Sequence, residues 1–321
     1  MAKNKLVETI KDWKFNIQKR LLNNTILFKR MDNEIKKLKK EYDDVVQNFF
    51  KDKICFKMLG NLGNQLFIHA AATSIEKDSS KIIYDVSECN YVLDNYGIKI
   101  QTTTFNFEKI LNPKYVKGLT SYDCFEPQVF AKDYFYIKAY FQNEKYFLEN
   151  RNDLLKTFTF LDIYSSEYKK YLDKITKSNS VLLNFRVKED YQIRGWVLDF
   201  EFQKKAIDYI RENVENPVFF VFADDINFVK ENFNYNIPMV FVDIEKDNPH
   251  KAFIDLELMK KCKHAIIPNS TFSWWAAWLN ENPEKIVIAP EPWLFKNSNI
   301  VPDSWFKVKS TKILSETPEF V

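Results

Sequence analysis

Polar residues able to bind an anion follow an apolar, strand-like run near the carboxyl end of this sequence. The run ends at Ile267, and the next four polar residues are Asn269, Ser270, Thr271 and Ser273. Two adjacent tryptophans then open a helix-like stretch. Hydroxyls and unpaired backbone N–H groups at a helix start, where the helix dipole is positive, form a cradle for an anion. The sequence therefore predicts a phosphate-binding turn here.

A second polar stretch follows the strand-like run that ends at Phe185. It contains Arg186 and then two carboxylates, Glu189 and Asp190. Ligands bind outside the carboxyl ends of strands in open α/β sheets, and an arginine in that position can hold a phosphate bidentately. Either carboxylate can take a proton from an attacking hydroxyl. These three residues are the predicted catalytic residues; a charged, solvated loop is the alternative.

Two aspartates, Asp224 and Asp225, follow the next strand-like run. An aspartate before a helix caps its first amides, and residues 226–233 have a helical pattern. One carboxylate is therefore expected to cap that helix, and Asp224 is assigned a contact with a polar ligand. A divalent metal held by the pair is the alternative. Three histidines and four scattered cysteines offer no Cys/His cluster, so no metal site is expected.

Two of the five glycines lie in a turn between a strand-like run and a helix-like run. Gly60 and Gly63 let the backbone approach a ligand closely, and Asn64 and Gln65 follow them. The third glycine of a dinucleotide fingerprint and the lysine of a P-loop are both missing. The turn is therefore predicted to face a ligand cleft. A tight turn with Asn64 as the helix cap is the alternative.

Alternating strand-like and helix-like runs position these four stretches. A βαβ pattern begins at Ile54, with its helix over residues 65–76, and a second series begins at Ser180. In that second series, helices are predicted over 200–213, 226–233, 253–262 and 273–280. We therefore predict an α/β fold with two halves, residues 53–170 and 171–321.

Residues 1–52 contain no glycine or proline and have a helical pattern. Apolar residues from Phe28 to Phe49 recur at alternating steps of three and four, the spacing of a coiled-coil seam. The segment is basic, since residues 1–53 hold 14 Lys/Arg and 8 Asp/Glu. We predict a coiled-coil extension that forms homo-oligomers. A helix packed on its own domain and a basic helix resting on anionic lipid are the alternatives.

The composition excludes several classes of protein. The formal net charge of the 321-residue chain is only +3, which argues against nucleic acid as the main partner. No stretch approaches about 18 consecutive apolar residues, and the first residues lead into no signal-peptide core. Scattered cysteines are typical of a reducing compartment. We expect a cytoplasmic protein, soluble or peripheral on the inner face of the membrane.

Five segments occur in a specific order: LGNLGNQLF, AYFQNEKYF, GWVLDFEFQKKAIDYI, VFFVFADDINFVKENF and DLELMKKCKHAIIPNSTFSWWAAWLNENPEKIVIAP. Together they resemble the α-1,2-fucosyltransferases of glycosyltransferase family 11. The resemblance implies a GT-B fold, two Rossmann-like domains with a cleft between them. It also implies inverting transfer of L-fucose from GDP-β-L-fucose to the 2-hydroxyl of a galactose-type acceptor. Such enzymes build cell-surface polysaccharides such as O-antigen, without a metal or other cofactor.

The resemblance also implies roles for single residues. Arg186 matches the first arginine of the family's His-x-Arg-Arg-Gly-Asp-Tyr stretch, which holds the diphosphate. Ser270, Thr271 and Ser273 match the phosphate cradle, and Asp255 is a candidate for reading the guanine edge. The turn from Gly60 to Gln65 matches a family stretch that faces the cleft.

The sequence departs from the family pattern beside Arg186. Asn184 stands where the family has histidine, and Val187 stands where it has a second arginine. One of two cations for the diphosphate is therefore missing, although Lys188 or Arg194 can restore the charge from nearby. Two alternatives follow: a different nucleotide-sugar donor, or an inactive homologue that binds glycan or partner glycosyltransferases.

Deletion of residues 1–50 tests the coiled-coil prediction. We expect the truncated protein to have a lower oligomeric state than the full chain in light scattering, because the apolar seam would be lost. An unchanged number of subunits would contradict the prediction.

Overall fold

The computed structural model of the chain describes residues 28–109, 111, 113–118, 125–130, 134–160, 166–245, 247–294 and 298–310. The described residues from 53 onwards form one compact unit, and those before it belong to another. In the smaller unit, helix α1 spans Phe28–Phe50. Residues 1–27 of the predicted extension lie outside the described residues, and coiled-coil pairing stays a prediction.

The larger unit alternates strands with helices. Its α-helices in the described residues are α2 (Leu62–Ile75), α3 (Arg151–Thr157), α4 (Ser166–Thr176), α5 (Glu189–Ile193), α6 (Phe200–Asn213), α7 (Ile226–Asn232), α8 (Lys251–Met259) and α9 (Thr271–Leu279). Short 3-10 helices lie at Ser79–Lys81, Leu93–Tyr96, Phe107–Lys109, Pro113–Tyr115, Pro127–Phe130, Glu144–Tyr146 and Leu148–Asn150. None of the described helices is long and apolar enough to span a bilayer.

The strands form two sheets, and in the described residues each strand is parallel to its neighbours. The first sheet has the order β3-β2-β1-β5-β4, from the strands β1 (Ile54–Lys57), β2 (Ile82–Asp85), β3 (Gln101–Thr103), β4 (Val116–Gly118) and β5 (Tyr136–Lys138). The second has the order β11-β10-β9-β6-β7-β8, from the strands β6 (Asn179–Phe185), β7 (Pro217–Ala223), β8 (Met239–Phe241), β9 (His264–Ile266), β10 (Val287–Glu291) and β11 (Phe306–Lys309). The predicted α/β class is confirmed.

Parallel pairing brings the polar stretches to one edge of the second sheet. Strand β6 is buried along nearly its whole length, which is usual for a strand covered on both faces by helices. Its register pairs Phe185 with Ala223 of β7 and Leu183 with Ile266 of β9. The residues that follow these three strands therefore emerge side by side.

An aromatic cluster joins the two sheets into one core. Trp274 and Trp275 of α9 are fully buried, and their rings lie 4.6 and 4.9 Å from the ring of Phe67 on α2. Phe147 stacks on Trp275 at 5.3 Å. These tryptophans therefore pack in the core. The division into two domains at residue 170 stays a prediction, because one sheet lies on each side and both contribute to the same core.

Two cations cap the carboxyl end of α9. Arg151 Nη2 donates to the carbonyl of Trp278 at 2.8 Å, and Lys285 Nζ donates to those of Ala277 and Asn280 at 2.7 and 2.8 Å. Positive charge at this end complements the helix dipole. Burial, with a contribution from Arg151, lowers the pKa of Lys285 to about 8. Both cations therefore stabilise the carboxyl end of α9, the end opposite the hydroxyl-rich turn.

Gly63 lets α2 and α9 meet at their amino-terminal ends. A Cβ at Gly63 would lie 2.6 Å from both the backbone nitrogen of Phe272 and Oγ1 of Thr271. The indole Nε1 of Trp275 also donates to the Gly63 carbonyl at 3.0 Å. No side chain larger than hydrogen fits without moving backbone.

Replacing Gly63 by alanine should therefore destabilise the protein by about 1–3 kcal/mol, the usual cost of overpacking a filled site. Denaturant unfolding measures the change. Gly118→Ala is the matched control, because a Cβ at Gly118 meets nothing within 4 Å. Equal stability of the two variants would show that α2 and α9 can separate without cost.

Candidate active site

The turn before α9 leaves the first amides of that helix open. The helix begins at Thr271, two residues earlier than predicted, with Ser270 as its N-cap residue. The predicted boundary was wrong because the hydroxyl-rich residues belong to the first turn of the helix. The Ser270 side chain makes no capping hydrogen bond, and the first N–H groups of a helix have no partner within it.

A second open helix start lies against the first. The N-cap residue of α2 is Asn61, and its side chain also makes no capping bond. Gly63 in the first turn of α2 touches Thr271 and Phe272 in the first turn of α9. Each helix end carries about +0.5 elementary charge. Two such ends in contact repel each other unless an anion lies between or beside them, so the junction is suited to binding one.

The hydroxyls of the turn differ in accessibility. Ser273 is fully buried and Ser270 is 8% exposed, whereas Thr271 is only partly buried. Asn184 Nδ2 donates to Ser273 Oγ, which ties the end of β6 to α9. The hydroxyl of Ser273 therefore faces Asn184. The predicted phosphate contacts of the three hydroxyls stay predictions, and Thr271 is the most accessible of them.

Asn269 holds one unused acceptor inside the site. Its side-chain Nδ2 donates to the backbone carbonyl of Trp196 at 3.0 Å, and its backbone carbonyl accepts from the hydroxyl of Tyr191 at 3.1 Å. Its Oδ1 is buried and has no hydrogen-bond partner in the part of the chain that the structure describes. A ligand with an O–H or N–H group can satisfy that oxygen.

Arg186 lies at the end of β6 in a fixed position. Its Nη1 donates to Asp224 Oδ2 at 2.7 Å and its Nη2 to Asp190 Oδ2 at 2.6 Å. The guanidinium also lies 4.5 Å from the ring centroid of Tyr191, an arrangement typical of a cation–π contact. Since Tyr191 also bonds Asn269, the structure brings Arg186 and the 269–273 turn together.

The two aspartates after β7 have separate roles. Asp225 caps α7 by accepting from the backbone nitrogen of Phe228 at 3.0 Å, which confirms the predicted cap. Asp224 accepts from Arg186 and from the backbone nitrogens of Val187 and Lys188, at 2.8 and 3.2 Å. Asp224 therefore holds the Arg186 loop, and its predicted contact with the ligand stays a prediction.

The two predicted acid–base candidates lie in the first turn of α5. The stretch is thus a short helix, and the alternative of a charged loop is wrong from residue 189 onwards. Asp190 is paired with Arg186. Glu189 is exposed and has no hydrogen-bond partner among the described residues.

Asp255 lies on α8. Its Oδ2 accepts from Lys251 Nζ at 3.0 Å, while its Oδ1 is buried and has no partner in the described parts of the chain. No hydrogen bond joins Asp255 to Arg186 or the 269–273 turn within those parts. Burial raises the pKa of Asp255 to about 6. The buried Nδ1 of His250, the N-cap residue of α8, is also without a partner there.

The glycine-containing turn combines structural and accessible residues. Gly60 has a φ of +63°, a conformation that favours glycine. Gln65 is fully buried and bonds only backbone atoms: the carbonyls of Gly60 and Asn90 at 3.0 and 2.7 Å, and the nitrogen of Val92 at 3.1 Å. Asn64 lies inside α2, so the alternative in which it caps the helix is wrong.

Sequence reasoning missed three residues of the site. Tyr191 joins Arg186 to Asn269, His250 begins α8, and Gln142 donates to Asn64 Oδ1 at 3.0 Å. Gln142 belongs to the segment AYFQNEKYF, which was matched to the family without any residue of it being assigned a role. Only that match signalled it, because Gln142 lies 78 residues from Asn64 in the chain.

Two parallel sheets with an arginine and two open helix starts at their carboxyl edge are typical of α/β enzymes that bind phosphorylated ligands. The sequence model of glycosyl transferase family 11 matches residues 96–307, about two thirds of the chain. The chain therefore belongs to glycosyl transferase family 11, and it is a glycosyltransferase.

Named relatives support this assignment. An α-1,2-colitosyltransferase of Escherichia coli is 30% identical over 79% of this chain and 98% of its own length. The O-antigen biosynthesis glycosyltransferase WbnK of Escherichia coli is 30% identical over 74% of this chain and 79% of its own. Human galactoside α-(1,2)-fucosyltransferase 1 is 33% identical over 27% of this chain and 23% of its own.

Solved structures with some likeness to the chain include other glycosyltransferases. Arabidopsis thaliana FUT1 in complex with GDP has 12% identity and a TM-score of 0.41, over 87% of this chain and 82% of that one. A family 9 glycosyl transferase of Veillonella parvula has 11% identity and a TM-score of 0.41, over 80% and 86%.

Replacing Asp255 by asparagine should stabilise the protein at neutral pH. The raised pKa, about 6 against an ordinary 3.8, means that the folded state binds this proton more tightly than the unfolded state. The favourable contribution is therefore complete below about pH 4 and is lost as the pH rises through about 6. We expect Asp255→Asn to raise the free energy of unfolding at pH 7.5 by on the order of 1 kcal/mol.

Denaturant unfolding at pH 7.5 and pH 4.5 measures this difference, which should shrink at the lower pH. Asp303→Asn, at a side chain 97% exposed, is the control. An equal effect of Asp255→Asn at both pH values would contradict the assignment.

Proposed function

We propose that this glycosyltransferase moves L-fucose from GDP-β-L-fucose to the 2-hydroxyl of a galactose-type acceptor during the synthesis of a cell-surface polysaccharide, with inversion at the anomeric carbon. Family membership supports the transferase reaction. The α-1,2 linkage in the names of the colitosyl and human fucosyl relatives supports the linkage, and WbnK supports a role in O-antigen. The two sheets and their connections support a GT-B arrangement with a donor site on the second half.

The observation that carries the proposal is the meeting of two uncapped helix starts beside Arg186. A nucleoside diphosphate gains negative charge as the bond from its phosphate to the sugar breaks. Open N–H groups and a held guanidinium stabilise charge that develops in the transition state without having to reorganise. The diphosphate is proposed to lie on the 270–271 turn, with its outer oxygens toward Arg186.

The free acceptor on Asp255 supports guanine as the base of the nucleotide. Guanine presents adjacent N1–H and N2–H donors, which a carboxylate can accept as a pair. The buried Oδ1 of Asp255 needs such a donor, because a buried oxygen without a hydrogen bond costs free energy. His250, the N-cap residue of the same helix, has a buried ring nitrogen without a partner in the described residues.

The position of Asp190 argues that it supports Arg186. Inversion requires the acceptor hydroxyl to attack from the side of the sugar opposite the leaving diphosphate. Asp190 lies 2.6 Å from Nη2 of Arg186, and Arg186 is the residue proposed to face that diphosphate, so Asp190 is assigned to the leaving-group side. Of the two candidates, Glu189 is the one without a described partner, and it is proposed to take the proton.

The departures from the family stretch have structural counterparts. Val187 is 3% exposed and packs in the core, so this position supplies no cation. Arg194 lies 4.8 Å from the ring of Trp196, whose carbonyl accepts from Asn269. The second cation for the diphosphate is proposed to be Arg194 or Lys188.

A second candidate donor carries colitose in place of fucose. The observation that favours it is the α-1,2-colitosyltransferase, which matches this chain over 98% of its own length. We also propose that no metal is required, since two helix starts and Arg186 supply positive charge for the diphosphate. Contact with the membrane surface and oligomerisation through the amino-terminal segment are proposed on its charge and apolar spacing alone.

Arg186→Ala tests the diphosphate assignment. We expect kcat/KM to fall more than tenfold, because a charge-assisted contact is worth about 1.5–3 kcal/mol. Arg211→Ala on the outer face of α6 is the control for this substitution.

Calorimetry with GDP-fucose, GDP-colitose, GDP-mannose and UDP-galactose, with EDTA present, measures binding of each donor to the parent protein.

The outcomes separate the parts of the proposal. Binding of GDP-fucose or GDP-colitose that survives chelation supports a GDP-sugar donor without metal. Preference for UDP-galactose would contradict the role of Asp255. Unchanged kinetics of Arg186→Ala would refute the diphosphate clamp.

A further inference from the structure

A strained residue positions Gln142 where the two sheets meet. Phe141 has a φ of +54°, an uncommon conformation for a residue other than glycine. Its ring is buried and lies 5.1 Å from the ring of Tyr146. On the other side, Asn143 Nδ2 donates to the carbonyl of Asn299 at 3.2 Å. The backbone on both sides of Gln142 is therefore held, and the side chain leaves it in a set direction.

Gln142 reaches α2 beside the open helix starts. Its Nε2 donates to Asn64 Oδ1 at 3.0 Å, and Asn64 directly follows the Gly63 that touches Thr271. A Cβ at Gly60 would lie 2.3 Å from Asn64 Nδ2, so glycine at that position makes room for the amide. The pair of side-chain amides, Gln142 and Asn64, is thus part of the same junction as the proposed diphosphate site.

Two of the four polar atoms of this amide pair are unused. Within the part of the chain that the structure describes, Gln142 Oε1 and Asn64 Nδ2 have no partner. Gln65, one residue further along α2, is different: each end of its amide bonds a backbone atom. Gln65 is therefore a structural amide, whereas Gln142 and Asn64 still offer an acceptor and donors.

Neutral side-chain amides are suited to binding hydroxyl groups. A hydroxyl donates one hydrogen bond and can also accept, and an amide offers both an acceptor and donors. A phosphate, which only accepts, would leave Gln142 Oε1 unsatisfied. We propose that Gln142 and Asn64 bind hydroxyl groups of a sugar at the junction and determine which sugar is accepted. This inference rests on the proposed function. The sugar is that of the donor or that of the acceptor, and the two share the chemistry of neighbouring hydroxyls.

Two variants test the inference. Gln142→Met keeps the length of the side chain and removes its donor and acceptor. Asn64→Leu keeps the approximate size of the side chain, adds no charge beside the proposed diphosphate site and removes the free donors. Gln128→Met, at an exposed glutamine, is the control. Each protein is compared in GDP binding, in hydrolysis of the donor without acceptor, and in transfer at varied acceptor concentration.

We expect both variants to bind GDP with the Kd of the parent protein and to show a KM for one sugar substrate raised at least tenfold. A raised KM for GDP-sugar in hydrolysis assigns the amides to the donor sugar. A raised KM for the acceptor alone assigns them to the acceptor. In either case, the difference in KM between variant and parent should disappear with a deoxy analogue that lacks the bound hydroxyl. A purely structural role would not produce that result.

Three results would overturn the inference. If both KM values stay within twofold of the parent, the amides do not bind sugar, and the proposed function stands without them. If both variants also lose GDP binding, the pair is structural. If the parent protein binds no GDP and transfers no sugar, the proposed function fails, and this inference fails with it.

Discussion

The contact between the first turns of α2 and α9 is the interaction on which the rest of the structure depends. Two helix ends of the same sign repel each other, yet Gly63 and Thr271 lie in direct contact. The aromatic cluster of Phe67, Trp274 and Trp275 holds the helices together, and burial of such large rings outweighs the repulsion of two partial charges. The result is a region of positive electrostatic potential that comes from backbone N–H groups and not from charged side chains.

The ionic groups around this junction are arranged to keep Arg186 in place. Asp224 and Asp190 share its guanidinium, and Tyr191 covers its face. Asp224 also accepts two amides of the loop that carries Arg186. Because the guanidinium and the loop backbone are held by the same aspartate, an anion can bind with little reorganisation of these groups. Little reorganisation is the condition for strong electrostatic stabilisation.

The two halves contribute different chemistry to the same place. The second sheet supplies Arg186 and the 269–273 turn, whose guanidinium and open N–H groups are suited to an anion. The first sheet supplies the neutral amides of Asn64 and Gln142. This asymmetry is consistent with a reaction that joins an anionic donor to a neutral glycan. Arg151, whose guanidinium bonds carbonyls at the far end of α9, ties the halves together there.

The sequence by itself determined the α/β class, most helix and strand positions, and the family, and it selected Arg186 and the 269–273 turn as site candidates. It did so because strand and helix periodicities and short motifs are local. Only the tertiary structure decided that Ser273 bonds Asn184, that Asp224 holds Arg186, and that Gln65 bonds backbone atoms whereas Gln142 bonds the side chain of Asn64. Each of these facts depends on residues far apart in the chain whose side chains meet through sheet register and helix packing. The start of α9 was misplaced for a related reason: a hydroxyl-rich run has the composition of a turn, and here it continues into a helix whose buried aromatic face packs against Phe67 of α2 and against Phe147.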